Sequence, residues 1–62
     1  MKVIKIGDEI INLATVERMY RRDERISFCF INREYALGID TASAAEAKKI
    51  LAECYDIMKK ED

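Results

Sequence analysis

The chain has 62 residues, no proline, two glycines and a formal net charge of −1. This length accommodates one domain, residues 1–62, and the 50% of hydrophobic residues excludes an intrinsically disordered chain. The longest apolar runs are too short to cross a membrane, and the amino-terminal residues lack the features of a secretory signal. We therefore expect a cytoplasmic protein.

Four β-strands are predicted from the alternation of apolar and polar residues. The second of them keeps no clean period, and the sequence leaves open whether it is continuous or is split at residues 12–15. Four consecutive charged residues, 21–24, are expected at the tip of the hairpin between strands two and three. The predicted strands cover residues 2–6, 10–22, 26–31 and 35–40.

One long amphipathic helix follows the strands. Ser43 and Glu46 have the spacing of a capping box, in which the Ser43 hydroxyl accepts from the Glu46 N–H and the Glu46 carboxylate returns to the Ser43 N–H. The helix is therefore predicted to begin at Ala44 and to run for about 17 residues. Its apolar side repeats at helical spacing, through Ala47, Ile50, Leu51, Cys54 and Met58.

Short loops between consecutive strands favour an α+β fold, in which a four-stranded antiparallel meander precedes one C-terminal helix packed on the sheet. A bulky face is expected to receive the helix, and it contains Ile4, Ile6, Leu13, Phe28, Phe30, Tyr35, Leu37 and Ile39. The second face is unusually apolar for a surface in water; it contains Val3, Met19, Cys29, Ile31, Ala36 and Gly38.

The stability expected of so short a chain points to self-association. Apolar burial and ordering entropy nearly cancel at this size, and two distant cysteines form no disulfide framework. A homodimer is therefore predicted, either through the second sheet face or through a helix exchanged between protomers; scattered apolar residues on the surface of a monomer are the alternative. The candidate interface residues are Met19, Cys29, Ile31, Tyr55 and Ile57.

All five arginines lie in the central hairpin and the turn after it, whereas all six lysines lie elsewhere. Guanidinium groups bind phosphates, and aromatic rings stack on bases, so this segment is a candidate site for single-stranded nucleic acid. Interleaved carboxylates and an acidic pI near 5.4 also fit an ion-paired, solvated hairpin. The candidate binding residues are Arg18, Tyr20, Arg21, Arg22, Arg25 and Arg33.

Catalytic chemistry is not indicated by any motif. The chain has no histidine, its cysteines lack zinc-site spacing, and adjacent carboxylates at turns do not provide an acid and a base in different environments. A small sheet with one helix is also expected to leave little room for a cavity of about 300 Å³. We expect a non-enzymatic module without metal or cofactor, or alternatively a protein–protein regulator or inhibitor acting through the apolar second face.

The opening Ile4-Lys5-Ile6-Gly7-Asp8, the later Ile11-Asn12-Leu13 and the helix entered through Ser43 resemble small uncharacterised bacterial and phage proteins. At the level of the fold, a β-β-β-β-α unit is similar to the single-stranded-DNA-binding units of Whirly proteins and of the eukaryotic transcriptional coactivator that shares their fold. This resemblance implies a dimer and a sheet face for nucleic acid. It transfers no individual residues.

Overall fold

The computed structural model describes residues 2–60 and confirms the α+β class. In this range five strands and a short 3₁₀ helix precede one α-helix. The elements are β1 (Val3–Ile6), β2 (Glu9–Asn12), the 3₁₀ helix (Leu13–Thr15), β3 (Val16–Arg22), β4 (Arg25–Phe30), β5 (Ala36–Asp40) and α1 (Ala44–Lys59).

The strands form two antiparallel sheets, which corrects the expected single meander. One sheet is the β1–β2 hairpin, and the other has the order β3-β4-β5. The long second strand is split because Asn12 accepts a hydrogen bond from the Ala14 N–H at 3.0 Å and Thr15 donates its hydroxyl to the Asn12 carbonyl at 3.3 Å. These local bonds compete with a sheet ladder and stabilise the 3₁₀ turn instead.

Helix α1 begins where the sequence predicts it. Ser43 is the N-cap, and its hydroxyl accepts from the Glu46 N–H at 3.1 Å. The carboxylate of Glu46 accepts from the Ala42 N–H at 3.0 Å, not from the Ser43 N–H that a capping box would supply. Ser43 therefore satisfies one donor of the first turn, Glu46 binds the residue before the N-cap, and the charge of Glu46 also suits the positive end of the helix dipole.

The core lies between α1, the β1–β2 hairpin and one face of the three-stranded sheet. The expected bulky face is largely correct, but Tyr35 is 62% exposed and precedes β5. Met19 is opposite Phe28 in the ladder, so it points toward the core and not, as expected, to the face of Cys29. The buried residues are Ile4, Ile11, Leu13, Val16, Ile26, Phe28, Ile39, Ala47 and Cys54.

A bulge in β3 determines which side chains face away from the core. Val16 is opposite Phe30, whereas Arg18 is opposite Cys29, so the register shifts by one residue between them. Without the bulge, residues 16 and 18 would share a face. Because of it, Val16 is buried and Arg18 is exposed.

Candidate nucleic-acid interface

The three-stranded sheet has a second surface, opposite the core, which we call the open face. Its centre is made of small side chains, and its larger and charged side chains lie on β3 and at the end where β4 begins. The register gives three cross-strand rows, namely Arg18, Cys29 and Ala36; Tyr20, Ser27 and Gly38; and Arg22, Arg25 and Asp40.

An arginine and a tyrosine are stacked at one side of the open face. Arg18 and Tyr20 are two residues apart on β3, and the carbon of the guanidinium lies 5.0 Å from the centre of the tyrosine ring. This distance is within the range of a cation–π contact. The pair places a positive charge and an aromatic ring side by side on a surface that solvent reaches.

Arg25 lies flat across the middle of the open face. Its guanidinium donates to the Asp40 carboxylate at 2.8 Å, and both side chains are more than half exposed. A Cβ atom at position 38 would overlap the guanidinium, so the glycine there provides the space that Arg25 occupies. The exposed ion pair contributes at most about 1 kcal/mol. Its main effect is to hold the Arg25 charge close to the sheet.

Of the six candidate binding residues, Arg21 and Arg33 do not belong to the open face. Arg21 follows Tyr20 on β3, so it projects from the opposite side, where it donates to the Asp23 carbonyl at 2.8 Å. Arg33 lies in the loop before β5 and donates to the Tyr35 hydroxyl at 2.9 Å. The other four, Arg18, Tyr20, Arg22 and Arg25, share the open face.

The charge of the open face is positive although the chain carries a net charge of −1. At the paired positions of the open face, three guanidinium groups accompany one carboxylate, which is bound to Arg25, and the exposed Glu17 of the bulge adjoins Arg18. Within residues 2–60 the other ion pair joins Lys59 and Asp56, so Arg18 and Arg22 have no carboxylate partner in this part of the chain.

The candidate interface residues are not gathered on one surface. Ile31 and Tyr55 are exposed at separate places, and Ile57 is half-buried against the core. Met19 also contacts the core, and Cys29 lies half-buried on the open face. Of the residues expected on an apolar second face, Cys29, Ala36 and Gly38 lie on the open face, but the arginines beside them make that face basic, which corrects its expected apolar character. Apart from Tyr20, which is 37% exposed, the large exposed apolar side chains lie elsewhere, and Ile10 at 73% exposure is the most prominent.

Among the described residues, two open recesses lie on the surface of the protomer. One has a volume of about 410 Å³ and is lined by Ile10, Phe30, Tyr35 and Leu37, with Arg33 as its charged residue. The other, of about 390 Å³, lies between α1 and Met19. Among the described residues, no group of three His, Cys, Asp or Glu side chains is arranged to hold a metal ion.

The two thiols differ in environment. Burial, and to a smaller extent the Glu53 carboxylate, raise the pKa of the Cys54 thiol from 9.0 to about 11. Cys54 is therefore a protonated core residue at neutral pH, without nucleophilic character. Cys29 is free and partly accessible between Arg18 and Ala36.

The sequence placed Cys29, Ala36 and Gly38 on the second face, but it did not show which small residues are adjacent across the strands. In the sequence, Ser27, Ala36 and Gly38 alternate with the bulky residues of their strands. Their adjacency follows from register, which pairs Ser27 with Gly38, and that register could not be read from periodicity alone.

Comparison with known proteins adds no relatives: neither a family model, nor a curated protein, nor a solved structure matches the chain. The resemblance to Whirly-type units thus remains an expectation from the order of the elements. Within residues 2–60, no helix has the length and hydropathy that a membrane crossing requires.

Proposed function

We propose that the protein is a non-enzymatic binding module that holds single-stranded nucleic acid on the open face. The observation that carries this proposal is the convergence of Arg18, Tyr20 and Arg22 on one accessible surface. Guanidinium groups bind phosphate oxygens through paired donors, and aromatic rings stack on unpaired bases. The open face offers both groups within one strand.

The shape of the open face favours a single strand over a duplex. Direct readout of a duplex requires an element that enters a groove, usually a helix or a two-stranded ribbon. Here the basic groups border a sheet surface whose centre is made of Ser27, Cys29, Ala36 and Gly38. Arg25 covers Gly38, and the small side chains of Cys29 and Ala36 let a flexible strand approach the rest of the sheet closely while its phosphates contact the arginines.

The acidic composition of the whole chain is compatible with this proposal because charge acts locally. At about 0.1 M salt, the interaction of exposed charges is largely screened beyond roughly 10 Å. The carboxylates of α1 lie on the other side of the sheet, whereas Arg18 and Arg22 are at the proposed contact. The acidic balance still predicts weak long-range steering, and hence binding that depends strongly on salt.

A regulator acting through an apolar second face is less well supported. The surface that it requires carries arginines and small residues, and the exposed Ile10, Ile31 and Tyr35 lie outside it.

The test is a titration of a fluorescein-labelled oligothymidylate, followed by anisotropy at several salt concentrations. Each phosphate neutralised on a single strand contributes roughly 0.7 to the slope of log K against log[salt]. If Arg18 and Arg22 each neutralise one phosphate, together they contribute about −1.4 to this slope. The double variant Arg18→Gln/Arg22→Gln should lose that part of the slope and most of the affinity.

Arg21→Gln/Arg33→Gln is the matched control, because it removes the same charge from outside the open face. We expect its salt slope to equal that of the wild type. Tyr20→Leu should weaken binding roughly tenfold while leaving the slope unchanged, since stacking contributes about 1–3 kcal/mol per base. Absence of binding at low salt, or an equal loss in both double variants, would show that the open face is not the site.

A further inference from the structure

The two edges of the three-stranded sheet are built differently. Strand β3 forms one edge, and it is interrupted by the bulge at residues 16–18 and carries four charged residues among seven. Strand β5 forms the other edge. Its register with β4 is continuous, and its residues 36–39 are Ala-Leu-Gly-Ile. Bulges and charges are the usual devices that prevent edge-to-edge pairing, so β3 is protected and β5 is not.

The backbone groups that β5 presents to the outside can be identified from the ladder. The Thr41 N–H donates to the Glu24 carbonyl at 2.8 Å, one step beyond the paired residues of β4 and β5. In an antiparallel pair the bonded positions alternate, so Leu37 and Ile39 also direct their backbone groups to β4. The N–H and C=O groups of Ala36, Gly38 and Asp40 therefore point away from the sheet.

We propose that β5 pairs antiparallel with β5 of a second copy of this chain, with Gly38 opposite the partner's Gly38. The outward-pointing residues of the two strands then face each other. Gly38 is opposite the partner's Gly38, and Ala36 is opposite the partner's Asp40. This register forms about six backbone hydrogen bonds, two for each bonded pair. The two sheets become one sheet of six strands.

The side chains of β5 are self-complementary in this register. On the core side, Leu37 lies opposite the partner's Ile39, so apolar side chains meet across the interface. On the open face, glycine meets glycine and the single carboxylate of the strand meets an alanine. The Arg25 guanidinium groups, which lie over Gly38, approach each other across the two-fold axis, and each is paired with Asp40 of its own chain.

A second copy also suits the energetics and geometry of this chain. Nine buried side chains form the core, and the described residues contain no disulfide or metal-ligating cluster, so association is the remaining source of added stability. The dimer would place two open faces on one continuous surface. The pairing itself does not depend on nucleic-acid binding, so either proposal can fail while the other stands.

The experiment is the mass in solution by light scattering, measured over a wide dilution range without nucleic acid. The wild type is expected as a particle of two 7.2 kDa chains. Ala36→Pro should reduce the mass to one chain, because proline removes an edge donor that β4 does not use and is tolerated at the first residue of a strand. Ala44→Pro is the matched control, since the first helical position accepts proline; it should remain two chains.

Amide hydrogen exchange of the wild type keeps the test decisive if Ala36→Pro fails to fold. In the dimer, the Gly38 and Asp40 amides should exchange as slowly as those of Leu37 and Ile39, and at least tenfold faster after dilution to the monomer. A wild type that is one chain at all concentrations would overturn the proposal. So would a two-chain particle in which Gly38 and Asp40 exchange rapidly, or a folded Ala36→Pro variant that remains two chains.

Discussion

Replacement of Phe28 by alanine should remove most of the stability of the fold. Phe28 lies on the central strand of the three-stranded sheet, is 0% exposed, and has Met19 and Leu37 as its cross-strand neighbours. Truncation of a fully buried phenylalanine costs about 3–5 kcal/mol. A chain of this length has a total free energy of unfolding of about 3–9 kcal/mol. Phe28→Ala is thus expected to be largely unfolded or close to it.

Phe30→Ala is the matched control, because Phe30 lies on the same strand and the same face but is only half-buried. The two rings stack with their centres 6.5 Å apart, so either truncation loses the same aromatic contact. Partial burial predicts a cost of about 1–2 kcal/mol for Phe30→Ala.

Urea unfolding, followed by far-ultraviolet circular dichroism at one fixed protein concentration, measures the difference between these variants. With a denaturant slope of about 1 kcal/mol/M, Phe30→Ala should lower the midpoint by about 1–2 M. Phe28→Ala should lower it by about 3 M or more, or abolish the transition. A midpoint for Phe28→Ala equal to or above that of Phe30→Ala would refute the placement of the core.

Three smaller perturbations test local features. Ser43→Ala should lower the free energy of unfolding by about 1 kcal/mol through loss of the N-cap, and a urea midpoint equal to the wild type would contradict the cap. The free energy of unfolding should fall by up to about 3 kcal/mol between pH 9 and pH 11, because the unfolded chain releases the Cys54 proton at lower pH than the folded chain does. That part of the pH dependence should be absent from Cys54→Ala, and an identical pH profile in both proteins would exclude the thiol as its source. Gly38→Ala should displace the Arg25 guanidinium and change the free energy of unfolding by no more than about 0.5 kcal/mol. The loss of an exposed ion pair and the gain from removing a glycine from a strand nearly cancel. A decrease of more than about 2 kcal/mol would show that Arg25 cannot move.

The elements that depend on short-range chemistry could be predicted from the sequence. The helix start at Ala44 follows from Ser43, because an N-cap requires only residues within one turn. The hairpin between β3 and β4 also occurs at the charged run, where Asp23 takes a positive φ of 54° that aspartate tolerates better than most residues. In both places the local preference and the final fold agree.

The split of the second strand could not be predicted in the same way. Asn12 and Thr15 are compatible with a bend, a bulge or a turn, and the choice depends on how Leu13 is buried in the core. The bulge after Val16 then reverses the alternation for the rest of β3. A one-residue shift of this kind moves each side chain to the other face of a sheet.

The composition of the candidate site depended on this register. Arg21 and Arg22 are adjacent, so one of them must face the core side and the other the open face. The sequence alone does not show which of the two arginines faces which side. The hairpin pairs Arg22 with Arg25 and thereby places Arg22 on the open face. The segregation of arginines was visible in the sequence, whereas their division between two surfaces was not.

A nuclear magnetic resonance titration of isotope-labelled protein with a short oligothymidylate at low salt identifies directly the surface that binds the strand. We expect the largest shift changes at the backbone amides of Tyr20, Ser27 and Gly38 and at the side-chain signals of Arg18 and Arg22. Signals from the exposed side of α1 should remain unchanged. Changes concentrated on α1 or around Arg33, with the open face unaffected, would contradict the assignment of the open face as the binding surface.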